Sequence, residues 1–164
     1  MNNGSRHKLT FLGASPIIFV TTIFYAIPII ILNHIFRSVF EFRHIPGNIL
    51  IGAAIVLLCI GIPFYLTTLK VLKTAYKKRK LITKGIFSIC RNPLFAVVIF
   101  FLLPGLLLLF DSWLLLTIPC FMYFMFKIFI NREEALMEKV FGQEYVAYKN
   151  NTPALFPKVW KYKK

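Results

Sequence analysis

Two apolar runs separated by a two-residue gap constrain this chain more than anything else in it. Leu94 to Phe110 and Trp113 to Ile130 carry no charge except Lys127, and only Asp111 and Ser112 stand between them. Runs of that length and closeness predict a helical hairpin, which returns the chain to the side it left. The feet of the hairpin are polar. Gly85-Ile86-Phe87-Ser88-Ile89-Cys90-Arg91-Asn92-Pro93 precedes it and Asn131-Arg132-Glu133-Glu134 follows it. Segments some forty residues apart are therefore expected to meet at one membrane face.

Composition fixes the solvent. Of 164 residues 58% are hydrophobic, and the mean hydropathy is +0.70. A soluble domain of this size could not hide that much apolar surface. An apolar core of roughly 30 Å needs about 20 helical residues to cross. Residues 16–36 and 48–69 are long enough. The hairpin arms, 94–110 and 113–130, reach only about 26 Å at the helical rise, so they would span with modest bilayer thinning. A re-entrant hairpin is the alternative. The first run is too long for a signal-peptide core and lacks a small-residue cleavage pattern. The expectation is an all-α, four-span membrane protein in one domain, residues 1–164, with a C-terminal helix and tail beyond the membrane.

Charge orients it. The net charge is +14. Between Lys70 and Arg91 stand Lys70, Lys73, Lys77, Lys78, Arg79, Lys80, Lys84 and Arg91, without an acid. Lys158, Lys161, Lys163 and Lys164 follow in the tail. The positive-inside rule places the central basic loop and both termini in the cytoplasm. The same loop could hold anionic headgroups, and a non-catalytic membrane protein that binds anionic lipid or a partner through it is the alternative to an enzyme. No motif for nucleic acid accompanies the charge. Cys59, Cys90 and Cys120 have no spacing for a disulfide or a metal, and no metal is expected. His7, His34 and His44 lie far in sequence from the hairpin feet.

Helix signals divide the rest. Pro28 and Pro63 lie inside the first two runs. Residues 70–80 continue the second run as helix. Leu81 to Pro93 reads as irregular, with Pro93 at a favourable first-turn position for the next helix. Pro104-Gly105 predicts a bend. The fourth helix should continue to about Val140, with Gly142 as its C-cap. Tyr145, Tyr148, Pro153 and Pro157 mark a tail.

Glu133 and Glu134 draw attention by register. Phe129, Ile130, Leu136, Met137, Val140 and Phe141 collect on one helical face, and both carboxylates fall on or beside it, whereas Arg132, Glu138 and Lys139 fall largely elsewhere. Carboxylates on an inward face near lipid need a partner. That partner could be a ligand, or it could be Arg91 or the basic loop in a packing ion pair. Arg91 itself could be a snorkelling anchor.

The string from Leu81 to Phe95 resembles the "L-V-T-x-G-P-Y-x-x-x-R-H-P-x-Y" segment of the isoprenylcysteine carboxyl methyltransferase and phospholipid methyltransferase superfamily. The string from Glu133-Glu134 through Phe141-Gly142-x-Glu144-Tyr145-x-x-Tyr148 to Pro153 and Pro157 resembles that superfamily's "E-E-x-L-x-x-x-F-G-x-E-Y-x-x-Y" ending. The likeness covers about residues 81–157. It implies a membrane methyltransferase that uses S-adenosylmethionine at the cytoplasmic side and takes a lipid-like or prenylated acceptor laterally from the bilayer. Carried over, Gly85, Arg91, Asn92, Pro93, Glu133 and Glu134 would line the cofactor site, Tyr145 and Tyr148 would support a cap over it, and Arg91, Glu133 and Glu134 would do the catalytic work. Asn92, Phe95 and Ile86 stand where the pattern has histidine, tyrosine and proline. Methyl transfer from a sulfonium needs positioning and exclusion of water more than an acid or base. The acceptor and the oligomeric state stay open.

Overall fold

The computed structural model describes residues 15–78 and 81–155. Arg79, Lys80, Pro157, the tail lysines and the first residues, including His7, lie outside the described residues. The architecture is all-helical, as expected. Helix α1 (Ser15–Ile35) leads through a single turn, α2 (Arg37–Phe40), to α3 (Gly47–Lys78). A short helix α4 (Ile86–Ile89) sits inside the segment read as irregular. The first hairpin arm is α5 (Pro93–Val97), a π-helical stretch (Val98–Leu102) and α6 (Leu103–Leu108). The second arm is α7 (Thr117–Phe141), and α8 (Gln143–Asn151) folds the tail.

Two of these helices, over Pro16–Ile35 and Gly47–Thr74, are long and apolar enough to cross a membrane, and Pro93–Leu108 is a shorter apolar helix. Their outward faces are apolar. Val20, Phe24 and Ile35 are exposed on α1, as are Ile49, Ile55 and Val56 on α3. In water such contiguous surface would be costly, and hydrocarbon is the medium that suits it. The predicted continuation of α3 past the apolar run extends to Lys78.

The arms differ from their expected form in two places. The second arm becomes helical only at Thr117, four residues later than the apolar pattern suggests. Asp111 takes φ 52° at the apex. Ser112 is buried, donates its hydroxyl to Asn33 Oδ1, and bridges Glu41, while Trp113 N–H donates to the Phe40 carbonyl at 3.1 Å. These links to the last turn of α1 and to the end of α2 accompany turns over Trp113 to Leu116. In the first arm, the expected disturbance at Pro104 takes the form of the π-helical stretch just before it. The Leu103 N–H reaches back to the Val98 carbonyl, one residue further than in an α-helix. A proline ring clashes with the carbonyl four residues earlier, here Phe100, and the wider turn accommodates it.

The hairpin lies between the two long helices: α1 packs along α7, and α3 packs along α5, the π stretch and α6. Gly61 permits the second contact. A Cβ there would lie 2.9 Å from Phe101 Cβ. Ile18, Phe95, Ile99, Met122, Phe126, Ile130 and Leu155 form the core cluster. It underlies the feet of the hairpin and draws on α1, both arms and the tail.

Candidate functional site

The hairpin brings its feet together. Arg91 Nη2 lies 2.6 Å from Glu134 Oε1, and the two side chains are only 9% and 5% exposed. Each foot is shaped locally. Gly85 starts α4 with φ 67°, a conformation that suits glycine. Its carbonyl accepts from both the Ser88 N–H and hydroxyl. Pro93 is buried at the first turn of α5, its missing N–H unneeded there. On the other foot, α7 carries Met122, Phe126, Ile130 and Glu134 as one buried line at four-residue spacing. The carboxylate therefore continues the apolar stripe inward, where it meets Arg91.

The tail completes the cluster. Gly142, at φ 56°, caps α7 as expected and turns the chain into α8. Lys149 Nζ then lies 3.0 Å from Glu134 Oε2 and 2.7 Å from Glu138 Oε1. Arg91 Nη1 donates to the Lys149 carbonyl at 3.1 Å. Beyond α8 the chain runs beside the first foot: Arg91 N–H donates to the Pro153 carbonyl at 2.8 Å, and Asn92 N–H and Nδ2 donate to Ala154 at 3.1 and 3.2 Å. Tyr148 donates its hydroxyl to the Phe87 carbonyl at 2.6 Å. Tyr145 packs edge-on to Tyr148, and both are buried.

Several expectations change. Lys149 and Glu138 belong to the cluster, although Glu138 reads from periodicity as lying elsewhere. The Glu134–Glu138 spacing of four was the available signal. Leu136 and Val140 are exposed rather than inward. Glu133 is half-buried, and its charge bears on Tyr145. Gly85 is exposed at its turn. Phe95 faces the apolar cluster, 5.1 Å from the Phe126 ring, so the hydroxyl it lacks relative to the tyrosine of the pattern is not missing from the ion pairs. Asn92 uses its side chain to tie down the tail. Among the described residues, no group of histidine, cysteine and acid side chains could hold a metal. An open depression lined by residues such as Glu41, Arg43, His44 and Trp113 lies at the apex end of the hairpin, away from this cluster.

Burial and neighbouring charge shape the ionisation. Burial, reinforced by Glu134, pushes the Tyr145 phenol up to about 12, with Arg91 and Lys149 opposing. Burial also raises Tyr148 and Cys90. Hydrogen bonds to Glu138 and Glu134 raise Lys149. For Tyr145 the folded state favours the neutral phenol. Its contribution to stability is complete below the unfolded value of about 10 and is lost as pH rises towards about 12. Unfolding followed across pH 9 to 12 should therefore show a loss of stability that is smaller in Tyr145→Phe. Equal slopes would disprove the linkage. Removing the Tyr148 hydroxyl orphans the Phe87 carbonyl. Tyr148→Phe should cost about 1–2 kcal/mol in denaturant unfolding in micelles.

One buried donor, Arg91 Nε, has no hydrogen-bond partner among the described residues. Such groups are rare in folded proteins, and this one suits an incoming anionic oxygen. The acidic and basic side chains here, Arg91 and Lys149 against Glu133, Glu134 and Glu138, sum to one negative charge. Together they would complement a ligand that is cationic overall and presents an anionic oxygen.

The profile of a family described as phospholipid methyltransferase matches residues 42–144 of the chain. No curated protein matches it.

Proposed function

Because the chain belongs to the phospholipid methyltransferase family, we propose that it transfers a methyl group from S-adenosylmethionine to a lipid-like acceptor reached from the bilayer. The chemistry takes place at the Arg91–Glu134–Lys149 cluster. The observation that carries this reading is the buried 2.6 Å pair between Arg91 and Glu134, closed over by the tail, with Arg91 Nε still available. In this reading α1, α3 and the two hairpin arms each cross the membrane, and the cluster and both termini are cytoplasmic.

The residues present fit the cofactor. Bound there, S-adenosylmethionine supplies a methyl group already activated on a sulfonium. Its ammonium, sulfonium and carboxylate sum to one positive charge, the complement of the cluster. Arg91 would bind the carboxylate through Nε, in the planar geometry that guanidinium favours. Glu134 would act through Arg91, which it holds in place together with Lys149. Glu133 would accept from the amino group or the ribose hydroxyls. Asn92 and Pro93 shape the wall of the site, and Gly85 sets the turn that leads to it. Tyr145 and Tyr148 exclude water and support the closing tail. Positioning and desolvation supply most of the rate, and an amine acceptor would shed its ammonium proton to solvent before its nitrogen attacks.

Titration calorimetry with S-adenosylmethionine tests the site, and radiolabelled methyl transfer into vesicle lipid tests the reaction. Wild-type protein should bind saturably, and Glu133→Gln and Glu134→Gln should each bind at least about tenfold more weakly. Unchanged affinity in both variants would remove the carboxylates from the site. Absence of saturable binding by monodisperse wild-type protein would overturn the function.

A further inference from the structure

Lys127 is the one charged residue among the apolar residues of the two hairpin arms. It is exposed on α7, and its neighbours Phe124 and Ile128 are exposed apolar side chains, 59% and 47% accessible. That surface suits lipid, where a bare ammonium is costly and marks a pathway or a binding position. Its Nζ lies 5.8 Å from the centroid of the Tyr123 ring. Among the described residues, no carboxylate forms a salt bridge with it. A ring face compensates only part of the lost hydration, so the charge calls for an anion supplied from outside the chain.

Position identifies that anion. Lys127 precedes Glu134 by seven residues, nearly two full turns, so their backbone positions share one side of α7 about 10 Å apart along the axis, and the Lys127 side chain reaches back over Tyr123, further from the cluster. Lys127 is on the apolar side of the cluster, so a lipid entering from the bilayer passes it first. Resting on the methyl-transfer reading above, we infer that Lys127 binds the phosphodiester of the acceptor lipid and holds its headgroup towards the Arg91–Glu134 cluster. A phosphate is the anion that lipids carry at the boundary of the apolar layer, and a lysine binds it as a point charge. The offset of two turns separates the bound anion from the atom that is methylated. This favours an acceptor with its phosphate between the acyl chains and the nucleophile, over a carboxylate acceptor whose only anion is itself the nucleophile.

Two readouts test this. In the first, the apparent KM of the full-length protein for an aminophospholipid is compared with that for a long-chain alkylamine without phosphate. Lys127→Met should raise the phospholipid KM at least about tenfold, with kcat little changed and the alkylamine unaffected. Lys127→Arg should restore most of the loss. In the second, native mass spectrometry in detergent should show that wild type and Lys127→Arg retain phospholipid but not diacylglycerol, and that Lys127→Met retains neither. Equal phospholipid retention and equal KM in wild type and Lys127→Met would overturn the assignment. Displacement of the lipid by millimolar inorganic phosphate would assign a soluble anion and overturn it too. Charge-dependent retention without any methyl transfer would leave Lys127 as a phosphate site and remove the enzymatic reading.

Discussion

Arg91→Met is expected to destabilise the protein by about 3–5 kcal/mol, the range for removing one partner of a buried ion pair. Both partners are almost fully enclosed, and Glu134 would keep only Lys149 at 3.0 Å. The side chain also holds the Lys149 carbonyl, so its loss loosens α8 as well. Denaturant unfolding in mixed micelles measures the cost. The double variant Arg91→Met/Glu134→Gln should recover part of it, because the buried charge is removed along with its partner. Strictly additive effects in the two single variants would mean that the pair is not coupled. Hydrogen exchange should rise from Gln143 to Leu155 in Arg91→Met, and an unchanged tail would show that it is held from elsewhere.

Phe126→Ala is expected to cost about 3 kcal/mol, the low end of the range for large aromatic truncations. Phe126 is fully buried in the cluster beneath the site, against Phe95. In lipid the hydrophobic transfer contribution is small, because hydrocarbon chains are as apolar as the core. Lost packing and the residual cavity carry the effect. The contrast with Arg91→Met is informative. Calorimetry at a temperature where Phe126→Ala is still folded should show S-adenosylmethionine affinity within about threefold of wild type, whereas Arg91→Met should lose it. A large loss of affinity in Phe126→Ala would mean that the core positions the site more closely than the cluster itself does.

The residues that were legible from sequence are those whose pattern is local. Run length gave α1 and α3, and helical register put Glu134 on an inward face. Gly142 and Pro93 marked helix ends because backbone geometry restricts what fits there. The partners of Arg91 were less accessible. Pro153 and Ala154 contribute carbonyls, which every residue has, and no pattern says which distant one will be used. Lys149 carries no local signal, and only the fold of α8 brings it against Glu134 and Glu138. The delayed start of α7 escaped for a similar reason. Trp113 to Leu116 continue the apolar pattern, but Ser112 and Trp113 bond to Asn33 and Phe40, 79 and 73 residues earlier. The π-helical stretch had a clue in Pro104, which signalled a disturbance and not its form.

The hydrogen bonds from Arg91 and Asn92 to Pro153 and Ala154 also bear on how the protein is made. Synthesis proceeds from the N-terminus, so the apolar hairpin is complete while the residues that close the site are still to be added. A nascent chain paused after α7 would have both feet of the hairpin but neither Lys149 nor the carbonyls that hold Arg91. Its acid and base, buried in the finished protein, would be exposed to water. Completion of the site is thus a late event in biosynthesis, separate from entry into the bilayer. A chain shortened to residue 148 should insert normally and still fail to bind S-adenosylmethionine.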